Sequence, residues 1–169
     1  MNCQDLTPKG MKDRAMEVLR HAEYGLYLVT AAHAGEINGM PLSLFTQVSF
    51  DPPQVAIGVS PRRYTHHLIL QAKSFAVIFL RQDQKSLTSR FKSKDPDRGA
   101  KFQGLKWQPG QTGAPLLHDC LGWVECKLVG TYAPGDHTLF VGEVVAAKLV
   151  QPGKLLLTSA YGKNSYYAG

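Results

Sequence analysis

Polar side chains able to contact a ligand are concentrated between residues 38 and 53. The strand predicted there carries hydroxyl and amide groups at Ser43, Thr46, Gln47 and Ser49. It follows a turn pattern at residues 35–39 and stops at Pro52-Pro53, where a sheet ladder cannot continue. The wholly apolar run at residues 55–59 comes next and is typical of a buried strand. A polar strand beside a buried strand predicts a sheet face that holds a polar ligand.

A second segment, residues 60–67, has the composition of an anion-binding site. The adjacent cations Arg62 and Arg63 lie between the hydroxyl residues Ser60 and Thr65, where the buried strand passes into a predicted helix. The first turn of a helix presents unpaired backbone N–H groups, which together with the arginines could neutralise a phosphate. The alternative is an ordinary helix start with solvated arginines.

A histidine follows a turn late in the chain, at the start of a predicted strand. His137 and its neighbour Asp136 come directly after the turn at residues 133–136. A histidine in this place could donate a hydrogen bond to a ligand carbonyl or carry a proton. The alternative is structural, with Asp136 capping the turn and His137 packed on the sheet.

The composition and charge indicate one globular domain with a basic surface. The chain has 169 residues, 44% apolar and 19% charged, which suits a single domain spanning residues 1–169. The net charge of +6 favours anionic partners. Residues 81–106 hold eight basic and three acidic side chains, which predicts either a docking surface or a solvated basic face. Nucleic acid binding is not predicted, because stacking aromatics do not alternate with these cations.

Several common chemistries have no signal in the sequence. It contains no glycine-rich nucleotide loop, no HExxH, no CxxC and no nucleophile elbow. The cysteines Cys3, Cys120 and Cys126 fit no zinc spacing, and their odd number suits a reducing compartment. With no apolar signal core and no run of about 20 apolar residues, we expect a cytoplasmic protein away from the membrane.

The elements that must position these groups are mainly strands with short connections. Helices are predicted at residues 11–22, 64–72 and 82–91, and a polar loop at residues 93–111. The predicted strands are residues 25–32, 38–48, 54–59, 74–80, 122–132 and 136–149, with a short closing strand at 155–158. This order favours an antiparallel barrel with peripheral helices over a wound parallel sheet.

The order of these motifs resembles the flavin reductase-like family, which has the FMN-binding split β-barrel fold. The resemblance covers about residues 24–150. Its marks are residues 25–30, 38–40 and 49–53, 65–66 and 68–69, 75–77, 101–102, 113–117 and 135–144. Residues 24–27 and 45–48 look closest to the flavin module of high-molecular-weight rubredoxins and to flavoredoxin-like proteins.

The resemblance implies an FMN lying along the polar strand. The residues that would line its ring and ribityl chain are Ser43, Leu44, Phe45, Thr46, Gln47 and Ser49. The residues implied at the phosphate are Ser60, Arg62, Arg63, Tyr64, Thr65 and His66, and Lys101 is also implied as a cofactor contact. His137 would lie near the ring or the nicotinamide, which makes it the best candidate for a catalytic residue.

The resemblance implies an FMN-dependent reductase that takes hydride from NADH or NADPH, in a reaction whose chemistry the flavin supplies. It also implies a homodimer, with Phe91, Trp107 and Trp123 as candidate contributors, and a separate acidic redox partner such as a rubredoxin. One alternative is a non-catalytic FMN electron carrier that docks its partner on residues 81–106. A further alternative is that the barrel binds no flavin, and instead binds another phosphate ligand or only a protein partner.

Overall fold

The computed structural model describes residues 8–92 and 98–162, which form helices and a sheet of antiparallel strands. The α-helices are α1 (Pro8–Leu19), α2 (Tyr64–Ala72) and α3 (Lys85–Phe91). The strands are β1 (Tyr27–His33), β2 (Glu36–Leu42), β3 (Phe45–Phe50), β4 (Pro53–Val59), β5 (Ser74–Phe79), β6 (Trp107–Pro109), β7 (Pro115–Leu117), β8 (Gly122–Tyr132) and β9 (Thr138–Leu149). Short 3-10 helices occupy Gln82–Gln84, Arg98–Phe102 and Thr158–Tyr161.

Seven of these strands form one sheet in the order β2-β1-β5-β8-β9-β4-β3, and every pairing in it is antiparallel. The two edge strands, β2 and β3, are consecutive in the chain and are joined only by Ser43 and Leu44. The sheet must therefore curl until its edges meet. The predicted antiparallel split barrel is confirmed.

The barrel interior is filled by alternate side chains of its strands, because successive residues of a strand face opposite sides. Val29, Val77, Ile57 and Phe140 are fully buried in this cluster. Helix α2 packs against β1 and β2. A second cluster, which includes Leu28, Ile78, Leu80, Phe91 and Phe102, packs on the other side of the sheet.

The predicted polar strand at residues 38–48 is two strands rather than one. The chain pairs with β1 as far as Leu42 and then leaves that edge of the sheet. At the break, the Phe45 N–H donates to the Ser43 carbonyl (2.9 Å), and the Gly58 N–H donates to the Leu44 carbonyl (2.9 Å). From Phe45 onward the partner is β4, so the polar residues of β3 lie on the opposite edge from Asn38.

Three other predicted elements differ from the structure. Helix α1 begins and ends three residues earlier than predicted, and it exposes Val18 (72%) and Leu19 (52%). The predicted closing strand at residues 155–158 is reduced to the single bridges Gly25–Leu157 and Arg81–Leu155. The predicted loop at residues 93–111 contains a 3-10 helix and β6, and its first five residues lie outside the described part. Among the described helices, none is long and apolar enough to cross a bilayer.

Replacing Gly142 in β9 by alanine should lower the free energy of unfolding by about 1–3 kcal/mol. An added Cβ would lie 2.6 Å from Cζ of Phe75 and 2.7 Å from Cβ of Cys126, so the core must shift to admit it. Gly135→Ala is the matched control, because no described atom beyond its chain neighbours lies within 4 Å of the new methyl group. Equal urea midpoints for the two variants would show that this contact carries no strain.

Candidate functional site

The strand register brings three predicted segments to one end of the sheet. Val59, the last residue of β4, pairs with Thr138, the first residue of β9. On the other side of β4, Phe45 pairs with Ile57, which places Ser43 and Leu44 beside the same end of that strand. Residues 43–45, the loop at residues 60–63 and residues 136–137 therefore lie at this end, and the rest of β3 runs away from it along β4.

The loop at residues 60–63 leaves its cationic side chains available to a ligand. The Arg63 N–H donates to the Ser60 carbonyl (3.0 Å) and the Arg62 N–H donates to Ser60 Oγ (3.4 Å), which closes a tight turn before α2. Arg62 and Arg63 are exposed, and neither guanidinium has a hydrogen bond or ion pair with the described residues. Arg63 is the N-cap of α2, where no side-chain hydrogen bond caps the helix, and the His66 N–H in the first turn donates to the Arg63 carbonyl (3.0 Å). The Thr65 N–H is the backbone donor that this turn still offers to a ligand.

Two predicted cofactor contacts, Thr65 and Lys101, point into the protein instead. Thr65 is buried, and its Oγ1 accepts a hydrogen bond from Asn38 Nδ2 (3.0 Å). Lys101 is also buried, and its Nζ donates to Asn38 Oδ1 and to the Gly39 carbonyl, both at 3.2 Å. The two side chains thus anchor α2 and the Arg98–Phe102 turn to β2. Because its side chain is buried, Thr65 can contact a ligand only through its backbone N–H.

The side chains of Tyr64 and His66 are also held by the protein. The Tyr64 hydroxyl donates to Glu36 Oε2 on β2. His66 is buried, with Nε2 2.9 Å from Thr138 Oγ1 and its ring against Phe140. Helix α2 is therefore fixed to β2 through Tyr64 and to β9 through His66, which leaves the preceding loop as the accessible anion-binding surface.

The polar side chains of β3 are accessible, as a ligand-binding strand requires. Thr46 and Gln47 are exposed and bond only within their own strand, with Gln47 Nε2 3.1 Å from the Ser49 carbonyl. Phe45 differs, because its ring packs against Tyr27 (centroids 4.6 Å apart) and Phe79. Its predicted contribution to a ligand site is therefore limited to the backbone. As an edge of the described sheet, β3 also offers unpaired backbone groups along its outer side.

His137 is paired with Asp136 at the rim of this site. Its Nδ1 lies 2.9 Å from Asp136 Oδ1, and its side chain is 40% exposed. This hydrogen bond and the charge of His137 lower the pKa of Asp136, and the charge of Arg62 adds to the effect. Asp136 therefore stays ionised as the acceptor for Nδ1–H. The arrangement leaves Nε2 open to a ligand and shows that Arg62 and Asp136 lie within electrostatic reach.

Lowering the pH from about 7 to 5 should reduce the free energy of unfolding through His66. Burial, and then the charge of His67, lower the pKa of His66 from its usual 6.5. Its Nδ1 is buried without a hydrogen-bond partner among the described residues, so a second ring proton would be unpaired. Between the lowered pKa and the unfolded value, the unfolded chain binds more protons, so stability rises with pH across that window.

Urea denaturation at intervals across this pH range measures the effect. The His66→Gln variant cannot titrate there, so its stability should depend less on pH than that of the wild type. The same dependence in both proteins would assign the effect to other groups.

Several basic side chains of the segment at residues 81–106 are bonded to other residues of the chain. Arg81 bonds to Asp119 (2.7 Å) and Asp83 (3.2 Å), and Arg90 Nε donates to the Lys101 carbonyl (2.7 Å). Lys94 and the Arg98 side chain lie outside the described residues. The predicted docking surface is therefore smaller than its eight cations indicate.

A cleft of about 240 Å³ lies beside Arg81. It is lined by Arg81, Asp83, Gln84, Ser86, Leu87, Leu105, Lys106, Leu117 and Asp119, and it contains none of the predicted ligand contacts.

The described residues contain no cluster of side chains able to hold a metal ion. Cys120 and Cys126 are free and buried, and burial raises their pKa values to about 11 and about 12. Neither thiol is thus suited to nucleophilic chemistry.

The donors at the end of the sheet suit a phosphate-bearing ligand of extended shape. The exposed guanidinium groups and the Thr65 N–H in the first turn of α2 match phosphate oxygens, which accept several charge-assisted hydrogen bonds. The polar edge strand β3 continues from the same point and offers amide and hydroxyl groups to the rest of such a ligand. The residues present therefore fit a mononucleotide held by its phosphate, with His137 at the rim.

Comparison with known proteins gives an independent result. A family model described as "Flavin reductase like domain" matches residues 19–166. A flavin reductase of Pseudomonas putida is 31% identical over 152 residues, which cover 89% of this chain and 88% of that protein. The high molecular weight rubredoxin of Moorella thermoacetica is 29% identical over 147 residues, which cover 86% of this chain but only 64% of that protein.

A solved structure has the same fold. The NADH:FAD oxidoreductase SgcE6 of Streptomyces globisporus, in complex with NAD and FAD fragments, superposes with a TM-score of 0.80 at 29% identity. The superposition covers 92% of this chain and 93% of that one. The similarity therefore extends through both the barrel and its peripheral helices.

Proposed function

Because the chain belongs to the flavin reductase-like family, we propose that it is an oxidoreductase that binds FMN and reduces it with NADH or NADPH. The observation that carries this proposal is that three features lie at one end of the sheet: the arginine loop (residues 60–63), the start of the polar strand β3, and His137. The names of the relatives do not favour the alternative of a non-catalytic carrier.

Different residues would bind the two ends of the cofactor. Arg62, Arg63 and the Thr65 N–H would bind the phosphate, while β3 would hold the ribityl chain and the ring with Thr46, Gln47 and its backbone. When bound, FMN supplies an acceptor for hydride from the nicotinamide. His137, oriented by Asp136, would position the nicotinamide or stabilise negative charge near the ring.

We extend this proposal to the electron acceptor. The match to the high molecular weight rubredoxin covers 64% of that protein. The acceptor would be either free flavin or a small acidic redox protein attracted by the net charge of +6. A cytoplasmic location remains a prediction.

We also propose that the protein is a homodimer of single-domain chains spanning residues 1–169. The candidates named from the sequence do not support the interface: Phe91 is 1% exposed, and Trp107 and Trp123 are partly buried against the core. Instead β3 exposes Val48 (51%) and Phe50 (88%) along an unpaired sheet edge, which a second copy would cover. Light scattering after gel filtration tests this, and Phe50→Asp should shift a dimer towards monomer.

The function is tested by adding NADH, and separately NADPH, to the FMN-loaded protein under nitrogen. Rapid loss of the yellow flavin absorbance, at a rate well above that of free FMN, is the expected result. If the protein binds FMN but neither nicotinamide bleaches it, while a ferredoxin-like donor does, the protein is a carrier and not a reductase. If FMN does not bind, the flavin assignment itself is wrong.

A further inference from the structure

Thr138 holds both ends of the arginine loop. Through the sheet ladder it pairs with Val59, which immediately precedes the arginine loop at residues 60–63. Through its side chain it lies 2.9 Å from Nε2 of His66, in the first turn of the helix that follows the loop. One buried residue at the start of β9 therefore fixes the entry and the exit of the segment that carries Arg62 and Arg63.

The His66–Thr138 contact is shielded from water, which makes it an effective restraint. Both residues are 6% exposed, and the imidazole also packs on Phe140 (ring centroids 5.1 Å apart). A hydrogen bond in such surroundings costs more to break than one in solvent, because its partners remain buried and unpaired. The backbone N–H of His66 donates in turn to the Arg63 carbonyl (3.0 Å), so the restraint reaches the loop directly.

We propose that His66 and Thr138 form a clasp that sets the specificity of the site for a phosphorylated flavin. The two side chains are positioning residues: neither binds the phosphate, but together they hold the arginine loop and the helix start in the shape that does. Since Thr138 also follows His137 in the chain, the clasp fixes the phosphate end of the site relative to its rim. This inference rests on the proposed function.

The test compares FMN with riboflavin, which lacks only the phosphate. Thr138→Val removes the hydroxyl at nearly constant volume and should weaken FMN binding about three- to tenfold, the effect of one buried hydrogen bond. Riboflavin binding should change little, because the clasp acts on the loop and not on β3. Thr138→Ser keeps the hydroxyl and should retain most of the FMN affinity. Both constants come from flavin fluorescence quenching, well below the unfolding temperature of each variant.

His66 provides a second pair of variants. Gln can place its Nε2 near the position of the imidazole Nε2, whereas Asn is one bond too short to reach Thr138. We expect His66→Gln to retain FMN affinity and His66→Asn to weaken it about as much as Thr138→Val does. Adding Thr138→Val to His66→Asn should weaken binding no further, since the contact is already broken.

The outcomes separate the clasp from the function on which it rests. A wild-type protein that binds no FMN overturns the proposed function, and the clasp with it. FMN binding by the wild type with an unchanged constant in Thr138→Val overturns the clasp alone. Equal losses for FMN and riboflavin would mean a merely structural role for Thr138, and they also overturn the proposal.

Discussion

Replacing Arg62 and Arg63 together by alanine is expected to weaken FMN binding about 100-fold. Each charge-assisted hydrogen bond to a phosphate contributes about 1.5 kcal/mol or more, and two such bonds correspond to about two orders of magnitude in the dissociation constant. Both side chains are exposed and neither guanidinium has a hydrogen bond or ion pair with the described residues, so their removal should leave the folded chain intact. Fluorescence titration with FMN measures the loss.

The control must separate local binding from the general effect of charge. Lys127→Ala with Lys148→Ala removes the same two positive charges from exposed positions on β8 and β9, away from the loop. This pair should change FMN affinity by much less than tenfold. If the arginine variant binds FMN as tightly as the wild type, the phosphate lies elsewhere.

Replacing His137 by alanine is expected to slow flavin reduction about 100-fold while FMN affinity falls far less. His137 lies at the rim, with Nδ1 bonded to Asp136 and Nε2 free. A group in that place acts on the nicotinamide or on developing charge more than on the bound phosphate. Stopped-flow mixing with NADH under nitrogen gives the rate of reduction, and fluorescence titration gives the affinity.

His118→Ala is the matched control, because His118 is also exposed but bonds to Gln108 on the β6–β7 hairpin. Its rate should stay near that of the wild type. A His137 variant that loses only FMN affinity would make this residue a binding group and not a participant in hydride transfer.

The sequence predicted helices and buried strands well, because their signals are local. Helix α2 has the predicted bounds, since Pro61 precedes it and apolar residues recur within it at helical spacing. Strand β8 also has its predicted limits, because it begins at Gly122 and ends before the turn at residues 133–136. The change of partner between β2 and β3 could not be predicted, because the choice of neighbour is set by strands far along the chain.

The site was predicted at the level of segments more than of side chains. The structure places the loop at residues 60–63, the start of β3 and His137 at one end of the sheet, and their role in binding a cofactor stays a prediction. Thr65, His66 and Lys101 have the right types for phosphate contacts, yet the structure buries all three. In the first turn of a helix, successive side chains point about 100° apart, so only tertiary packing decides which of them face the interior. Thr138 carried no signal beyond its position after His137.

The pairing of β4 with β9 has a consequence for how the protein is synthesised. Its partner residues, such as Val59 and Thr138, are far apart in the chain, and β3 is attached to the described sheet only through β4. On the ribosome, β3 and β4 can form only an unattached hairpin until β9 has emerged. Cofactor loading must therefore wait until β9 has emerged, and a fragment released before residue 138 would lack the β4–β9 pairing that forms this end of the sheet.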